Sequence, residues 1–240
     1  MSLEKMNGLK KDALSFGITL SDQQLSQFYT YYELLIEWNE KMNLTAITDF
    51  EEVIKKHFLD SLSIGRILKQ DSSVSILDIG TGAGFPGIPI KIAFPDTQIT
   101  LMDSLNKRVN FLNEVICTLG LEKIDAIHGR AEDFAKKGML REKFDICVSR
   151  AVANLSSLSE FCLPYVKTGG SFISYKSEKA MEEIENSKNA VSILGGGKVF
   201  SDTFLLPETD FTRTLIKIEK IKETPAKYPR KAGTPVKQPL

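Results

Sequence analysis

An apolar run that breaks into closely spaced glycines is the feature that most restricts the fold of this chain. Residues 76–88 read ILDIGTGAGFPGI, so a hydrophobic stretch passes through Asp78 into four glycines. Glycine accepts positive φ and lets the backbone approach a ligand, which a buried strand needs when it turns sharply into a helix. A second apolar run, ITLMD at 99–103, follows and ends in the acid Asp103. The pattern predicts two neighbouring parallel strands with a ligand site at their carboxyl ends.

Short apolar segments alternate with amphipathic ones from residue 71 to about residue 195. Strands are predicted at 75–79, 98–102, 125–128, 144–148 and 171–175, and helices at 87–93, 107–119, 155–162 and 178–194. This alternation is typical of an α/β fold with a mostly parallel, twisted sheet and helices on both faces. After three glycines, two further apolar segments at 198–206 and 213–221 predict a C-terminal antiparallel hairpin.

The first 70 residues have a helical period. Ser21 and Gln24 form a capping-box pattern, and apolar side chains then recur every three or four residues, at Leu25, Phe28, Tyr29, Tyr32, Leu35 and Ile36. A second segment, 51–62, continues this period, and its His57 and Asp60 are predicted to cap a helix or to form a hydrogen bond between domains. We expect a helical extension at 1–70, packed by its aromatic stripe onto a main domain at 71–221.

Length and composition restrict the class of protein. With 240 residues, of which 42% are hydrophobic, the chain is long enough for one main core and a small accessory unit. It has neither an apolar run of the roughly twenty residues that span a bilayer nor the apolar core of a signal peptide, so a cytoplasmic protein without membrane contact is predicted. Three widely spaced cysteines and two histidines favour neither a disulfide framework nor a metal site.

Residues 222–240 differ from the rest of the chain in charge. Five basic residues stand against the single acid Glu223, although the whole chain has a formal net charge of zero. Four prolines in the same segment disfavour a regular helix or a central strand. This basic, proline-rich tail is therefore predicted to be extended and solvated. Two roles stay open for it, a solubilising end or a contact with nucleic acid.

The glycine turn fits two cofactors to different degrees. Residues 82–87 satisfy the GxGxxG pattern of dinucleotide sites, but Pro86 lacks the N–H group that a pyrophosphate needs, and Phe85 would crowd the phosphates. The register 78–84 suits S-adenosylmethionine, because a strand-end carboxylate or carbonyl can hold its ammonium group and Asp103 can accept hydrogen bonds from both ribose hydroxyls. A nicotinamide-dependent oxidoreductase stays open as the alternative.

Two later segments point to the same crevice. Glu132 and Asp133 follow the third predicted strand, where an acid can bond the exocyclic amine of an adenine, and Arg150 follows the fourth. Ligands of open α/β sheets bind outside the carboxyl ends of the strands, so these residues are predicted to face one site. Taken singly, the two acids also fit a solvated helix start, and Arg150 fits a surface ion pair.

Five motifs between residues 38 and 151 resemble those of one family of enzymes, and the match as a whole covers nearly the whole chain. They are WNEKMNLT at 38–45, HFLDS at 57–61, DIGTGAGFPG at 78–87, DSLNKR at 103–108 and SRA at 149–151. In this combination the chain resembles the RsmG (GidB) family of ribosomal RNA methyltransferases. The resemblance implies a class I, Rossmann-like methyltransferase fold with a helical N-terminal extension.

The resemblance also implies an activity and a set of site residues. Members transfer a methyl group from S-adenosylmethionine to N7 of a guanine in the decoding-region loop of 16S ribosomal RNA. The implied partner is therefore 16S rRNA or the small ribosomal subunit, and we expect the protein to be a monomer. Besides Gly82 and Asp103, the expected cofactor residues are those that match the family, namely Gly80, Phe85, Ala131, Glu132 and Arg150. The tail motif KYPRKAGTP at 227–235 also matches Gram-positive members of the family.

The chemistry of this acceptor requires little acid–base catalysis. Guanine N7 carries an in-plane lone pair at neutral pH, so it can attack the sulfonium methyl group directly and no general base is expected. Alignment of donor and acceptor is then the main contribution of the protein, with Arg150 as the candidate for positioning. Cations predicted to contact the RNA are Lys107, Arg108, Arg130 and Lys176. A non-catalytic RNA-binding protein with a methyltransferase fold is the remaining alternative.

Overall fold

A mostly parallel sheet forms the centre of the molecule. The computed structural model describes residues 2–177 and 179–240, and within these ranges seven strands pair in the order β3-β2-β1-β4-β5-β7-β6. Their bounds are β1 (Ser75–Ile79), β2 (Gln98–Asp103), β3 (Ile124–His128), β4 (Phe144–Arg150), β5 (Val166–Lys176), β6 (Gly196–Leu205) and β7 (Thr212–Lys220). Strands β1 to β5 pair in parallel, and β7 is antiparallel to both β5 and β6. The predicted α/β architecture with a C-terminal hairpin is confirmed.

Helices precede the sheet and cover both of its faces. The N-terminal ones are α1 (Ser2–Lys5), α2 (Asn7–Ala13), α3 (Asp22–Met42), α4 (Phe50–Val53) and α5 (Asp60–Leu62), with a π-helical segment at Ile54–Leu59. The later ones are α6 (Gly87–Ala93), α7 (Asn106–Thr118), α8 (Ala131–Phe134), α9 (Leu155–Cys162), α10 (Ala180–Ile193) and α11 (Thr234–Lys237). The helix predicted at 178–194 corresponds to α10, and Glu178 lies outside the described residues. No helix in the described part of the chain has the length and hydrophobicity of a bilayer-crossing segment.

Helix α3 begins where the capping box predicts. The Ser21 Oγ accepts the Gln24 N–H at 3.2 Å, and Gln24 Oε1 accepts the Ser21 N–H at 2.8 Å. Phe28 of the predicted stripe is fully buried; of the tyrosines that follow, Tyr31 is fully buried, whereas Tyr29 and Tyr32 of the predicted stripe are half-buried. Because three- and four-residue steps are both compatible with a helix, the sequence period does not choose between Tyr31 and Tyr32. The buried Tyr31 hydroxyl donates to the Ala83 carbonyl.

The N-terminal helices and the sheet share one hydrophobic core. Leu25, Phe28 and Phe58 from the extension pack in the same cluster as Ile88 of α6 and Phe111 of α7. A second cluster lies on the opposite face of the sheet, between α9, α10 and the hairpin. The extension therefore completes one of the two core layers.

The tail at 222–240 is not the extended, solvated segment that its composition predicts. Tyr228 and Pro235 are buried, and residues 234–237 form the short helix α11. Buried partners on the main domain satisfy its polar groups: the Arg230 guanidinium donates to the Glu160 carboxylate at 2.7 Å, and Ser157 Oγ donates to the Pro235 carbonyl at 2.8 Å. Such long-range contacts offset the ordering cost that composition alone makes unfavourable.

Candidate functional site

The glycine turn between β1 and α6 is closed by Asp78. Its carboxylate is fully buried, and Oδ2 accepts both the Thr81 hydroxyl at 2.6 Å and the Gly87 N–H at 2.8 Å. Burial raises the pKa of Asp78 to about 6, against the two hydrogen bonds, which lower it. The carboxylate thus occupies the N-terminus of α6, where a dinucleotide would place its pyrophosphate. The sequence predicted that a strand-end carboxylate or carbonyl holds an ammonium group. Of these two groups, the Asp78 carboxylate points towards the start of α6.

A cavity of about 280 Å³ opens at the carboxyl ends of β1, β2 and β3. We call it the glycine-turn cavity; it is lined by Ile79, Gly80, Met102, Ser104, Gly129, Arg130, Ala131, Glu132, Val152, Phe161 and Gly233. Gly80 has a φ of 70°, and a Cβ there would stand 2.5 Å from Val152 Cγ2. Gly82, with a φ of 62°, has open space where a side chain would stand. Glycine is therefore required at Gly80 by close packing and at Gly82 by the backbone conformation alone.

Asp103 stands at the end of β2, next to this cavity. Its carboxylate accepts the Gly82 N–H at 2.9 Å through Oδ2 and the Leu105 N–H at 2.9 Å through Oδ1, and the residue is 2% exposed. Arg108 Nη1 lies 3.4 Å from Oδ2. These contacts fix the carboxylate against the glycine turn. Oδ2 accepts two hydrogen bonds, whereas Oδ1 accepts one and keeps a lone pair for a hydroxyl donor.

Ala131 and Glu132 begin α8 on the far side of the glycine-turn cavity. The Ala131 carbonyl accepts the hydroxyl of the buried Tyr165, which connects this short helix to the turn before β5. The Glu132 carboxylate accepts the Gly233 N–H from the tail at 3.1 Å. Ile79, Met102 and Phe161 make part of the lining of this cavity apolar. A flat ring with a donor at its edge fits such a slot.

Arg150 lies in a second, larger cavity of about 530 Å³, which we call the arginine cavity. Its lining residues are Ile47, Lys56, His57, Asp60, Arg150, Ala151, Tyr175, Lys176, Ser177, Glu183 and Arg213. Asp60 joins two arginines there, since Oδ2 accepts Arg150 Nη1 at 2.8 Å and Oδ1 accepts Arg213 Nε at 3.0 Å. Asp60 thus links the extension to β4 and β7, which confirms the predicted hydrogen bond between domains. Four cations and two carboxylates line this cavity, so it has a positive balance.

The rings of His57 and Phe85 pack against each other next to Arg150. The two rings are stacked, with centroids 4.6 Å apart and an interplanar angle of 18°, and the Arg150 guanidinium carbon lies 5.0 Å from the Phe85 centroid. Burial and, secondly, the charge of Arg150 lower the pKa of His57 to about 4. The imidazole is therefore neutral at pH 7, and its Nε2 lies 2.9 Å from the Thr45 hydroxyl.

The structure thus places the predicted cofactor residues in three different surroundings. Gly80, Ala131 and Glu132 line the glycine-turn cavity, with Gly82 and Asp103 behind its rim. Phe85, which is 6% exposed, packs among Tyr31, His57 and Phe58 of the extension. Arg150 lines the arginine cavity.

The predicted RNA contacts are also separated from one another. Lys107 is exposed and, with Arg108, borders a third cavity of about 410 Å³ beside Asn43. Arg130 is exposed at the rim of the glycine-turn cavity. Lys176 is tied into the arginine cavity, where its Nζ donates to the Ala153 carbonyl at 2.8 Å and pairs with Glu183 at 2.7 Å.

Arg213 and Gly233 are among the lining residues that sequence reasoning missed. Arg213 begins the second strand of the predicted hairpin, and its position opposite Asp60 depends on a contact between residues 153 positions apart. Gly233 lies in the tail, for which the sequence predicted solvation. The glycine in the tail motif was the available signal for Gly233, since its φ of 83° requires this residue type.

The residues around the glycine-turn cavity fit S-adenosylmethionine better than a dinucleotide. The helix N-terminus that would bind a pyrophosphate is blocked by the Asp78 carboxylate, and the arrangement leaves Asp103 for a ribose and Glu132 for a donor at a ring edge. The backbone at Ile79 and Gly80 lines the space between them.

Several solved structures share the fold of this chain. One is a predicted O-methyltransferase from Agrobacterium tumefaciens, with a TM-score of 0.53 and 16% identity over 70% of this chain and 81% of that chain. Another is M. jannaschii TYW2 in complex with AdoMet, with a TM-score of 0.54 and 16% identity over 73% of this chain and 80% of that chain. At this identity the likeness establishes the fold alone.

Sequence comparison gives the family. A family model described as rRNA small subunit methyltransferase G, GidB, matches residues 24–212. Proteins named ribosomal RNA small subunit methyltransferase G include one from Lachnoclostridium phytofermentans, 61% identical over 94% of this chain and 93% of that protein. Another, from Bacillus cereus, is 51% identical over 100% of this chain and 99% of that protein. The resemblance seen in the sequence motifs is confirmed, and the chain belongs to the rRNA small subunit methyltransferase G (RsmG, GidB) family.

Proposed function

We propose that this protein transfers the methyl group of S-adenosylmethionine to N7 of a guanine in the decoding-region loop of 16S ribosomal RNA. The observation that carries the proposal is the pair of cavities at the end of β4, one shaped by the glycine turn and one lined by cations. The relatives' names specify small-subunit ribosomal RNA as their substrate. Bound S-adenosylmethionine supplies an electrophilic methyl group on a sulfonium.

In this proposal Gly80, Gly82, Asp103, Ala131 and Glu132 hold the cofactor in the glycine-turn cavity. Asp103 accepts a ribose hydroxyl through Oδ1 and Glu132 accepts the exocyclic amine of the adenine, each by a charge-assisted hydrogen bond. Phe85 and Arg150 act at the other end, where the methyl group meets the acceptor. Phe85 supports Arg150 from below, so its contribution to cofactor binding is through the position of that guanidinium.

The acceptor guanine enters the arginine cavity. Arg150 and Arg213 are held by Asp60 and present N–H groups that suit the acceptor atoms of a guanine or of its phosphate. Because N7 needs no deprotonation, the chain's task is to align the base and to exclude water, which contributes to the rate without a general base. His57 is neutral at pH 7, so it adds no charge that would repel the sulfonium.

Methyl transfer to purified small ribosomal subunits and to deproteinised 16S rRNA tests the function. Labelled methyl should appear in one guanosine as N7-methylguanosine, recognised by strand cleavage after borohydride and aniline treatment. Methylation of neither substrate under conditions in which S-adenosylhomocysteine binds would favour a non-catalytic RNA-binding role. The same assay decides whether naked RNA or the assembled subunit is the acceptor.

The absence of a general base is tested by the pH dependence of the single-turnover rate with saturating RNA. We expect a rate that changes by less than about threefold between pH 6.5 and 8.5, since no proton is removed before attack. A slope that follows one group titrating near pH 7 would contradict direct attack by N7.

Lys107, Arg108, Arg130 and Lys176 are proposed to bind the RNA backbone. Lys107 and Arg130 are the two exposed ones, so the double variant K107E/R130E should weaken RNA binding and lower the slope of log affinity against log salt by about 2. S-adenosylhomocysteine affinity should not change with K107E. The variant K143E, at an exposed residue away from all three cavities, is the control. An unchanged salt slope in K107E/R130E would exclude these two cations from the interface.

The location in the cytoplasm and the monomeric state stay predictions. Light scattering measures the oligomeric state.

A further inference from the structure

The tail at 222–240 reaches the wall of the glycine-turn cavity. Gly233 is one of the residues that line it, together with Gly80 and Val152. The Gly233 N–H donates to Glu132 Oε1 at 3.1 Å, although the two residues are 101 positions apart. A residue of the C-terminal tail is therefore part of the cavity that is proposed to hold the cofactor.

A buried ion pair fixes the tail just before Gly233. The Glu160 side chain on α9 is fully buried, and Arg230 is its ion-pair partner. The Arg230 backbone N–H and Nη2 each donate to this carboxylate at 2.7 Å, and Nε lies 3.0 Å from Oε1. Without Arg230 the buried Glu160 carboxylate would have no counterion, which would strongly destabilise the folded protein. The ion pair therefore holds the tail in one position.

Two further contacts hold the segment on either side of this ion pair. Before it, the Arg141 guanidinium donates to the Tyr228 carbonyl at 2.8 Å, and the Tyr228 ring is buried. After it, the Pro235 carbonyl accepts the Ser157 hydroxyl at 2.8 Å. Gly233 therefore lies between fixed points and has little freedom to leave Glu132.

We infer that residues 228–237 of the tail are a structural wall of the S-adenosylmethionine site, in which Gly233 positions the Glu132 carboxylate. One carboxylate oxygen is held by the Gly233 N–H, so the side chain presents its other oxygen to the cofactor in a fixed direction. Such preorganisation lowers the entropy that Glu132 loses when the cofactor binds. The inference rests on the proposed placement of the cofactor in the glycine-turn cavity.

Tail docking and cofactor binding are then thermodynamically coupled. If the docked tail raises cofactor affinity by a given factor, bound cofactor raises the stability of the docked tail by the same factor. Both directions are measurable on the full chain, with S-adenosylhomocysteine as the probe.

The first experiment measures tail docking in the unmodified protein. Lys227, Arg230, Lys231 and Lys237 are trypsin sites within the tail. Saturating S-adenosylhomocysteine should slow cleavage at these sites by about fivefold or more, because cleavage requires the tail to open. Equal cleavage rates with and without S-adenosylhomocysteine would overturn the inference.

The second experiment loosens the tail at a residue that does not line the cavity. R230A should raise the Kd for S-adenosylhomocysteine by about tenfold in titration calorimetry. R66A is the matched control, because Arg66 also donates two hydrogen bonds to one carboxylate, that of Asp202, on a distant edge of the sheet. R66A should stay within about twofold of the unmodified protein. A Kd for R230A within the same twofold range would overturn the inference; if R230A does not fold, the proteolysis result decides.

A third variant separates the two proposals. D103N removes the charge proposed to bind the ribose and does not touch the tail. Weaker binding by D103N together with unchanged binding by R230A would remove the tail inference and leave the cofactor placement intact. Unchanged binding by D103N would remove the placement and the tail inference with it.

Discussion

Burial determines the charge of two ionisable side chains near the proposed site. Asp78 lies at the glycine turn, and His57 lies in the extension, where its ring stacks on Phe85. Burial raises the pKa of Asp78 to about 6 and lowers that of His57 to about 4. Desolvation disfavours the charged form in both cases, so the two shifts have opposite signs. The two groups therefore change the free energy of unfolding with pH in opposite directions.

The variant H57Q should isolate the histidine contribution. Between pH 6.5 and pH 4 the unfolded chain binds a proton at His57 and the folded chain does not, so stability falls as the pH is lowered through this window. The stability advantage of the unmodified protein over H57Q should therefore shrink by about 2 kcal/mol from pH 7 to pH 4. Urea titrations of both proteins at several pH values measure it. Asp78 is present in both and cancels in the difference; a gap that is constant with pH would show that His57 is not desolvated.

Gly80 offers a test of the close packing at the cavity rim. An alanine there would meet Val152 Cγ2 at 2.5 Å, in addition to the strain of a positive φ. We expect G80A to weaken S-adenosylhomocysteine binding by about tenfold or more, because Val152 must move into the cavity. G120A is the matched control, since Gly120 has a φ of 60° but nothing within 4 Å of the added Cβ. Equal loss of affinity in both variants would point to general backbone strain instead.

At the scale of elements, Asp60 connects parts of the fold that are distant in sequence. It lies at the start of α5 and bonds Arg150 at the end of β4 and Arg213 near the start of β7. The side chain is 5% exposed, and its two partners are 12% and 23% exposed. The junction is therefore largely shielded from solvent, where an ion pair is costly to break.

Removing the charge of Asp60 should destabilise the protein far more than the same change at the surface. D60N leaves two arginines without a counterion, and we expect a loss of about 2 kcal/mol, reduced from the fully buried case by the partial exposure of Arg213. D202N, at the half-exposed partner of Arg66, is the control and should cost less than about 1 kcal/mol. Thermal and urea unfolding measure both. A similar cost for the two variants would mean that the Asp60 junction is hydrated.

The sequence predicts the bounds of a helix or strand correctly where the apolar period ends at a breaker residue that also ends the element in the structure. The strand 75–79 and the helices 87–93 and 155–162 have the predicted bounds, because apolar period and breaker residues coincide there. Strand β5 begins at Val166, earlier than predicted, because Gly169 and Gly170 read as breakers but lie within a strand. A Cβ on Gly170 would stand 2.4 Å from the Asp145 carbonyl, so close approach of β4 explains the glycine.

The candidate site was predictable only in part, for a similar reason. Strand ends are local features, so Gly80, Asp103 and Glu132 were placed near one crevice from their positions alone. The division into two cavities depends on the extension and the tail, which approach the sheet from either end of the chain. Contacts such as Asp60 with Arg213 or Glu160 with Arg230 have no local signature in the sequence.

For the molecule as a whole, the shared core predicts a single unfolding transition. The one tryptophan, Trp38, lies on α3, and its ring centroid is 5.6 Å from that of Phe111 on α7. Since the extension and the sheet bury the same cluster, Trp38 fluorescence and far-UV circular dichroism should give coincident urea transitions. Loss of the Trp38 signal at lower urea would show that the extension unfolds on its own.

Three consecutive residues at the end of β4 separate the two cavities. Arg150 and Ala151 line the arginine cavity, Val152 lines the glycine-turn cavity, and Ala151 has a φ of 57°. A deletion or insertion of one residue here would turn each side chain towards the wrong ligand, whereas a substitution would alter only one wall. We therefore expect a change in the length of this segment to impair both cavities, and natural variation in it to consist of substitutions without gaps.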